Sequence, residues 1–119
     1  MACRAALATL DIFENDQVLQ RNAVLAQKIS AAFDWARQDE RIEHVRQKGM
    51  IFAFDIKALA LKTGFAKAFF KEALSHEVLV RPIGSTIYIM PPYVLSDSEL
   101  SHLSKGIQAT LEQILINHA

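Results

Sequence analysis

The sequence predicts an α+β fold: a small, mostly antiparallel sheet packed by helices, in the order ααββαββα. Three observations support it. Four stretches carry apolar residues at helical spacing, short apolar runs bounded by turn residues lie between them, and no repeat, low-complexity tract or internal linker divides the chain. At 119 residues the chain has the length of one domain.

The first helix is predicted over Met1 to Glu14, where alanines dominate and Leu7, Leu10 and Phe13 recur at helical spacing. Its small residues suggest close packing against another element. Asn15 and Asp16 interrupt it, and either can cap a second helix from Gln17 to about Gln38. Leu25, Ile29, Phe33 and Ala36 lie on the apolar stripe of that helix. Ile42 to Lys48 reads as a weak strand, because Ile42 and Val45 do not alternate. Gly49 marks a turn, and Met50 to Ile56 is a stronger strand. It is apolar on both faces except at Asp55, which predicts cover on both sides. Thr63 is the expected N-cap of a helix from Gly64 to about His76. The core face of this helix reads as Phe65, Ala66, Phe69, Phe70, Ala73 and Leu74. Val78 to Arg81 and Thr86 to Met90 are predicted as two further short strands, the latter ended by Pro91 and Pro92. Ser96 and Glu99 form a capping box before the last helix, where Leu100, Leu103, Ile107, Leu111 and Ile114 make an amphipathic stripe.

Composition excludes several function classes. Thirteen basic and thirteen acidic side chains cancel, so no global field draws the chain to nucleic acid or to an anionic membrane. An apolar fraction of 51% argues against disorder as the main state. The longest nearly uncharged run, Val78 to Leu95, contains Arg81 and three prolines and is no membrane span. Cys3 is the single cysteine, which excludes a disulfide scaffold, fits a cytoplasmic setting, and reads as a small hydrophobe. His44, His76, His102 and His118 are scattered, and no metal-ligand spacing appears. No glycine-rich phosphate loop is present. Lys28, Lys48, Lys62, Lys67, Lys71 and Lys105 have polar neighbours or lie on outer helix faces. Lys57, at a strand end, is the faint exception as a Schiff-base candidate.

The segment from Val78 to Tyr93 stands apart. Arg81 is a guanidinium set in apolar sequence, and its planar fork suits a carboxylate held by two parallel hydrogen bonds. Pro82 biases Arg81 toward an extended backbone, and Tyr88 can line the same cavity. A structural reading stays open beside this one: Arg81 can pair with an internal carboxylate such as Asp55, and Tyr88 can simply pack.

The run Arg81-Pro82-Ile83-Gly84-Ser85-Thr86-Ile87-Tyr88-Ile89-Met90-Pro91-Pro92-Tyr93 closely resembles a signature of the class III aminotransferases, which are pyridoxal-phosphate enzymes of fold type I. Within that class it resembles the adenosylmethionine-8-amino-7-oxononanoate aminotransferases of biotin synthesis. The alanine-rich opening, Val45 to Ile51, and Ser96 to Glu99 are similar to further family elements, so the likeness spans essentially the whole chain.

The resemblance implies that residues 1–119 are the C-terminal small domain of a longer enzyme. The large domain would carry the pyridoxal phosphate, its Schiff-base lysine and the phosphate-binding loops. No catalytic, cofactor-binding or metal-binding residue is expected in this chain. By the same resemblance, Arg81 holds the substrate carboxylate and Tyr88 lines that pocket. The implied partners are the large domain, a second subunit of a homodimer and a small-molecule substrate, with no nucleic acid and no membrane. The chain alone is expected to be inactive, to bind no cofactor, and to show an apolar patch where the large domain would sit. Two alternatives stay open: the small domain of another class III transaminase with a donor such as lysine, and a free-standing, non-catalytic α+β binding module.

Overall fold

A computed structural model describes residues 1–58, 60, 61 and 63–117. Its elements are α1 (Ala2–Asn15), α2 (Val18–Ala32), α3 (Asp34–Gln38), β1 (Ile42–Lys48), β2 (Ile51–Ile56), α4 (Phe65–Ser75), β3 (Thr86–Ile89) and α5 (Asp97–Asn117). The sheet is antiparallel throughout, in the order β1-β2-β3. The α+β class is therefore as expected, with two differences in the element order.

The first difference is a break in the second helix. Phe33 leaves helical geometry (φ −104°, ψ 19°) and its side chain is fully buried. A break orphans carbonyls that the next turn would have bonded. Arg37 Nη1 donates to the Ser30 carbonyl at 3.0 Å, and Ser104 Oγ donates to the Ala32 carbonyl at 2.6 Å. Trp35 Nε1 in turn donates to Ser104 Oγ at 2.9 Å, so this buried hydroxyl both donates and accepts. Long-range partners decide the break, which is why helical periodicity alone runs through it.

The second difference is that residues 78–81 form no strand. Val78 and Val80 are buried while Leu79 and Arg81 are exposed, so the two-residue alternation is real. A strand also needs a hydrogen-bonded neighbour, and among the described residues this segment has none in the sheet. Only an isolated bridge between Ile83 and Thr86 follows it.

The weak strand is real, and a bulge explains its pattern. Glu43 pairs with Asp55 but Arg46 pairs with Ala53, so β1 carries one extra residue there. His44 takes a positive φ of 54° within that step. The extra residue puts Ile42 and Val45, three apart, on the same side of the sheet. Gly49 (φ +56°) makes the tight connection to β2, in the left-handed region that glycine enters readily.

Phe52, Phe54 and Ile56 of β2, with Ile87 and Ile89 of β3, pack into a core with Ile29, Phe33, Phe65, Phe69, Ile107 and Leu111. Aromatic rings tie the sheet to the helix break: Phe33 lies 5.2 Å from Phe52 and 5.9 Å from Trp35 between centroids. The other face of β2 carries Ile51, Ala53 and Asp55. Ile51 is exposed, so the expected cover on both faces is missing at that position.

Local caps depart from expectation twice. No side chain caps α2; Gln17 enters it in left-handed geometry (φ 51°) instead, at a steric cost of about 1–2 kcal/mol. Gly64, not Thr63, caps α4, and without a side-chain hydrogen bond. The capping box at α5 forms as expected: Glu99 N donates to Ser96 Oγ at 3.2 Å, and Ser96 N donates to Glu99 Oε1 at 2.9 Å. The core face of α4 is narrower than read, since Phe65, Phe69 and Ala73 are buried but Leu74 is 50% exposed. On α5, an added Cβ at Gly106 would sit 2.5 Å from Val78 Cγ2, so the missing side chain lets residue 78 lie against the helix.

Helix α1 buries no residue and touches the rest of the chain mainly through α2. Its Leu7, Leu10 and Ile12 are exposed. Cys3, expected to pack as a small hydrophobe, is exposed as well.

Candidate functional site

Arg81 and Tyr88 line one cleft of about 530 Å³, with Val80, Met90, Pro92 and Leu103 among its apolar walls. The chain reverses after α4, with Val78 N donating to the Ala73 carbonyl at 3.0 Å and Glu77 at a φ of +60°. That reversal brings Arg81 back alongside α4. The Arg81 guanidinium carbon lies 5.3 Å from the centroid of the Phe70 ring. Arg81 is exposed, and among the described residues it has no ion pair and no hydrogen-bond partner. Tyr88 stands half-buried in the middle of β3, directly opposite Ala53 of β2. The small alanine side chain leaves room beside the phenol on that face.

Asp55 is not the partner of Arg81. Its carboxylate accepts from Thr86 Oγ1 at 2.7 Å and from Arg46 Nη2 at 3.2 Å, and His44 Nδ1 lies 3.1 Å away. Partial burial works against the charge, but these three neighbours outweigh it and hold the Asp55 carboxyl below the usual carboxylate range. A depressed native pKa stabilises the fold above the unfolded carboxyl value of about 4, and that stability is lost as pH falls through the native value. Acid titration of folding should therefore show an unfolding limb below about pH 4 that Asp55→Asn flattens. An unchanged limb in that variant would remove Asp55 from the acid response.

The described lysines and histidines form no catalytic cluster. Lys28 forms an exposed ion pair with Asp97 at 3.0 Å. Lys48, Lys67, Lys71 and Lys105 are exposed and Lys57 is half-buried, so no described lysine is buried. Lys62 and His118 lie outside the described residues. His76 Nε2 approaches Glu72 Oε1 at 3.5 Å, and His102 Nε2 lies 3.2 Å from the Glu77 carbonyl. Among the described residues no three His, Cys, Asp or Glu side chains converge on one point, and no helix is long and apolar enough to cross a membrane.

Phe70 is the site residue that sequence reasoning places elsewhere. Its helical spacing assigns it to the core, yet it is half-buried at the edge of the α4 stripe, beneath the guanidinium. The available signal is its position one residue after Phe69, about 100° around the helix from the inward direction.

An exposed guanidinium with no described partner lines an apolar cleft on a three-strand α+β scaffold. The chain belongs to the class III aminotransferases, whose family model, described as aminotransferase class-III, matches residues 1–111. It is 32% identical over 118 residues to the adenosylmethionine-8-amino-7-oxononanoate aminotransferase of Helicobacter pylori, covering 96% of this chain and 27% of that protein. The enzyme of the same name from Geobacter sulfurreducens is 32% identical over 124 residues, with the same two coverages. The crystal structure of the Methanocaldococcus jannaschii enzyme of that name superposes with a TM-score of 0.82 at 22% identity, over 93% of this chain and 27% of that one. At that identity the superposition speaks for the fold alone. The chain thus spans about a quarter of the length of the curated relatives it matches.

Enzymes of this class generally depend on pyridoxal phosphate. The described residues do not fit that cofactor. No described lysine is buried, and the sequence has no glycine-rich phosphate loop.

Proposed function

We propose that this chain is the C-terminal small domain of an adenosylmethionine-8-amino-7-oxononanoate aminotransferase and supplies the carboxylate side of its substrate site. The parent reaction moves an amino group from S-adenosylmethionine to 8-amino-7-oxononanoate, giving 7,8-diaminononanoate. The observation that carries this reading is the shared cleft of Arg81 and Tyr88, with the arginine's hydrogen-bond donors unclaimed by any described residue.

The acceptor has a terminal carboxylate, a run of methylenes and a ketone near its far end. Arg81 offers a planar fork to the carboxylate. Val80, Met90 and Leu103 offer apolar walls to the methylenes, and Tyr88 lines the same cleft. Holding the head group at one end fixes where the ketone lies at the other, which is a positioning contribution to catalysis. The electron sink, the cofactor lysine and the phosphate site belong to the large domain of the same enzyme, so the isolated chain is inactive. That domain, in a parent homodimer, covers the exposed apolar residues of α1.

The test is product formation by the intact enzyme supplied with pyridoxal phosphate. Formation of 7,8-diaminononanoate from S-adenosylmethionine and 8-amino-7-oxononanoate is the expected result. Turnover with lysine as the only effective donor would move the chain to a neighbouring branch of the class. Absence of transamination with every donor would favour the non-catalytic binding module.

A further inference from the structure

We propose that Phe70 is a positioning residue for Arg81: its ring holds the face of the guanidinium and leaves the N–H edge directed to an incoming carboxylate. The inference rests on the carboxylate-holding reading of Arg81 and adds to it the device that aims the side chain.

Arginine has several rotatable bonds, so an exposed guanidinium samples many directions, and fixing it at the moment of binding costs entropy. A ring beneath the guanidinium restricts that motion in advance. Cation–π attraction acts through the flat face of the ion, whereas hydrogen bonds leave from its edge, so the two can operate together. A carboxylate partner from within the chain would also fix the arginine, but would consume the charge and the donors that the ligand needs.

A second pair in the same chain shows the contrast. Arg37 lies over the Phe52 ring at 5.4 Å, much as Arg81 lies over Phe70 at 5.3 Å. The edge of Arg37 is spent: it donates to the Ser30 carbonyl and to Ser30 Oγ, and lies 3.5 Å from Asp34. That arginine closes the helix break. Arg81 lies over a ring at nearly the same distance, has no hydrogen-bond or ion-pair partner among the described residues, and lines a cleft.

The placement of Phe70 fits the role. Phe65, Phe69 and Ala73 bury the inward face of α4, so Phe70 is not needed to fill the core centre. It is half-buried, which fixes the ring from below and leaves its upper surface to Arg81.

The experiment compares Phe70→Leu, Phe70→Tyr and Arg81→Ala in the intact enzyme, with kcat/KM measured separately for each half-reaction. Phe70→Leu should lower kcat/KM for 8-amino-7-oxononanoate by about three- to tenfold and leave the amino-donor value unchanged. Phe70→Tyr, which keeps the ring, should restore the acceptor value. In the 119-residue chain, the Arg81 Nε–H proton should be shifted upfield by the ring current, and should return to its ordinary position in Phe70→Leu. Wild-type acceptor kinetics in Phe70→Leu, with a large loss in Arg81→Ala, would overturn the positioning role and spare the carboxylate reading. No loss in Arg81→Ala would overturn that reading and the inference with it. Equal losses in both half-reactions of Phe70→Leu would mark a folding defect and overturn the inference. An unshifted Arg81 proton in the wild-type chain does so without any variant.

Discussion

Arg81→Ala in the intact enzyme is expected, on the function proposed above, to lower kcat/KM for 8-amino-7-oxononanoate by at least about 30-fold, corresponding to about 2 kcal/mol or more, while the amino-donor half-reaction stays within about twofold. The asymmetry follows from the chemistry of the two substrates. Only the acceptor brings a carboxylate to the end of a long apolar chain, and Arg81 stands at the rim of an apolar cleft with its donors unclaimed by any described residue. The upper range, about 5 kcal/mol, applies where the ion pair is fully desolvated. In this chain the arginine is exposed, so that range requires cover from the rest of the enzyme. Arg81→Lys should fall between wild type and alanine, because an ammonium keeps the charge but loses the planar fork. Steady-state kinetics of each half-reaction reads the effect directly. Comparable losses toward both substrates would assign Arg81 to folding or to general electrostatics instead of to carboxylate binding.

Phe33→Ala is expected to destabilise the fold by about 3–5 kcal/mol. The ring is fully buried, contacts Phe52 and Trp35, and sits where α2 gives way to α3. Removing it empties a site walled by the sheet on one side and by a helix break on the other. That break is held by Arg37 and Ser104, so the backbone cannot simply close in. Small domains have only about 5–15 kcal/mol of net stability, so the loss would take a large share of it. Phe33→Leu fills more of the space and should cost well under half as much. Urea unfolding should show a lower midpoint with an unchanged slope. A cost below about 1 kcal/mol for the alanine variant would mean that the aromatic cluster repacks freely around the missing ring.

Much of the fold is legible in the residues. The stripe of Leu100, Ile107, Leu111 and Ile114 declares α5, and Ser96 with Glu99 declares its start. Pro91 and Pro92 fix the end of β3. Local chemistry decides each of these, so the sequence suffices. The errors fall where distant partners decide. Residues 78–81 alternate like a strand, but strand formation depends on a neighbouring edge that no local pattern reports. Gln17 and Gly64 cap helices where Asn15, Asp16 and Thr63 offer better side chains, because the chain's direction at those turns requires left-handed geometry. The candidate site is legible in part. Arg81 and Tyr88 stand out as polar groups in apolar sequence, and the fold gives them a common cleft. Phe70 does not stand out, since a phenylalanine at helical spacing looks like any core residue until the chain reverses and lays a guanidinium on it.

The bulge at His44 has a consequence for how the protein behaves in concentrated solution. With the order β1-β2-β3, both outer strands offer unpaired backbone groups that could template a foreign strand. β1 is bent by its extra residue and carries Glu43, Arg46 and Lys48. β3 is four residues long and runs into two prolines that cannot donate. Neither border presents the long, flat, uncharged ribbon on which amyloid-like stacking depends, so the sheet is guarded against cross-β growth by its own irregularities.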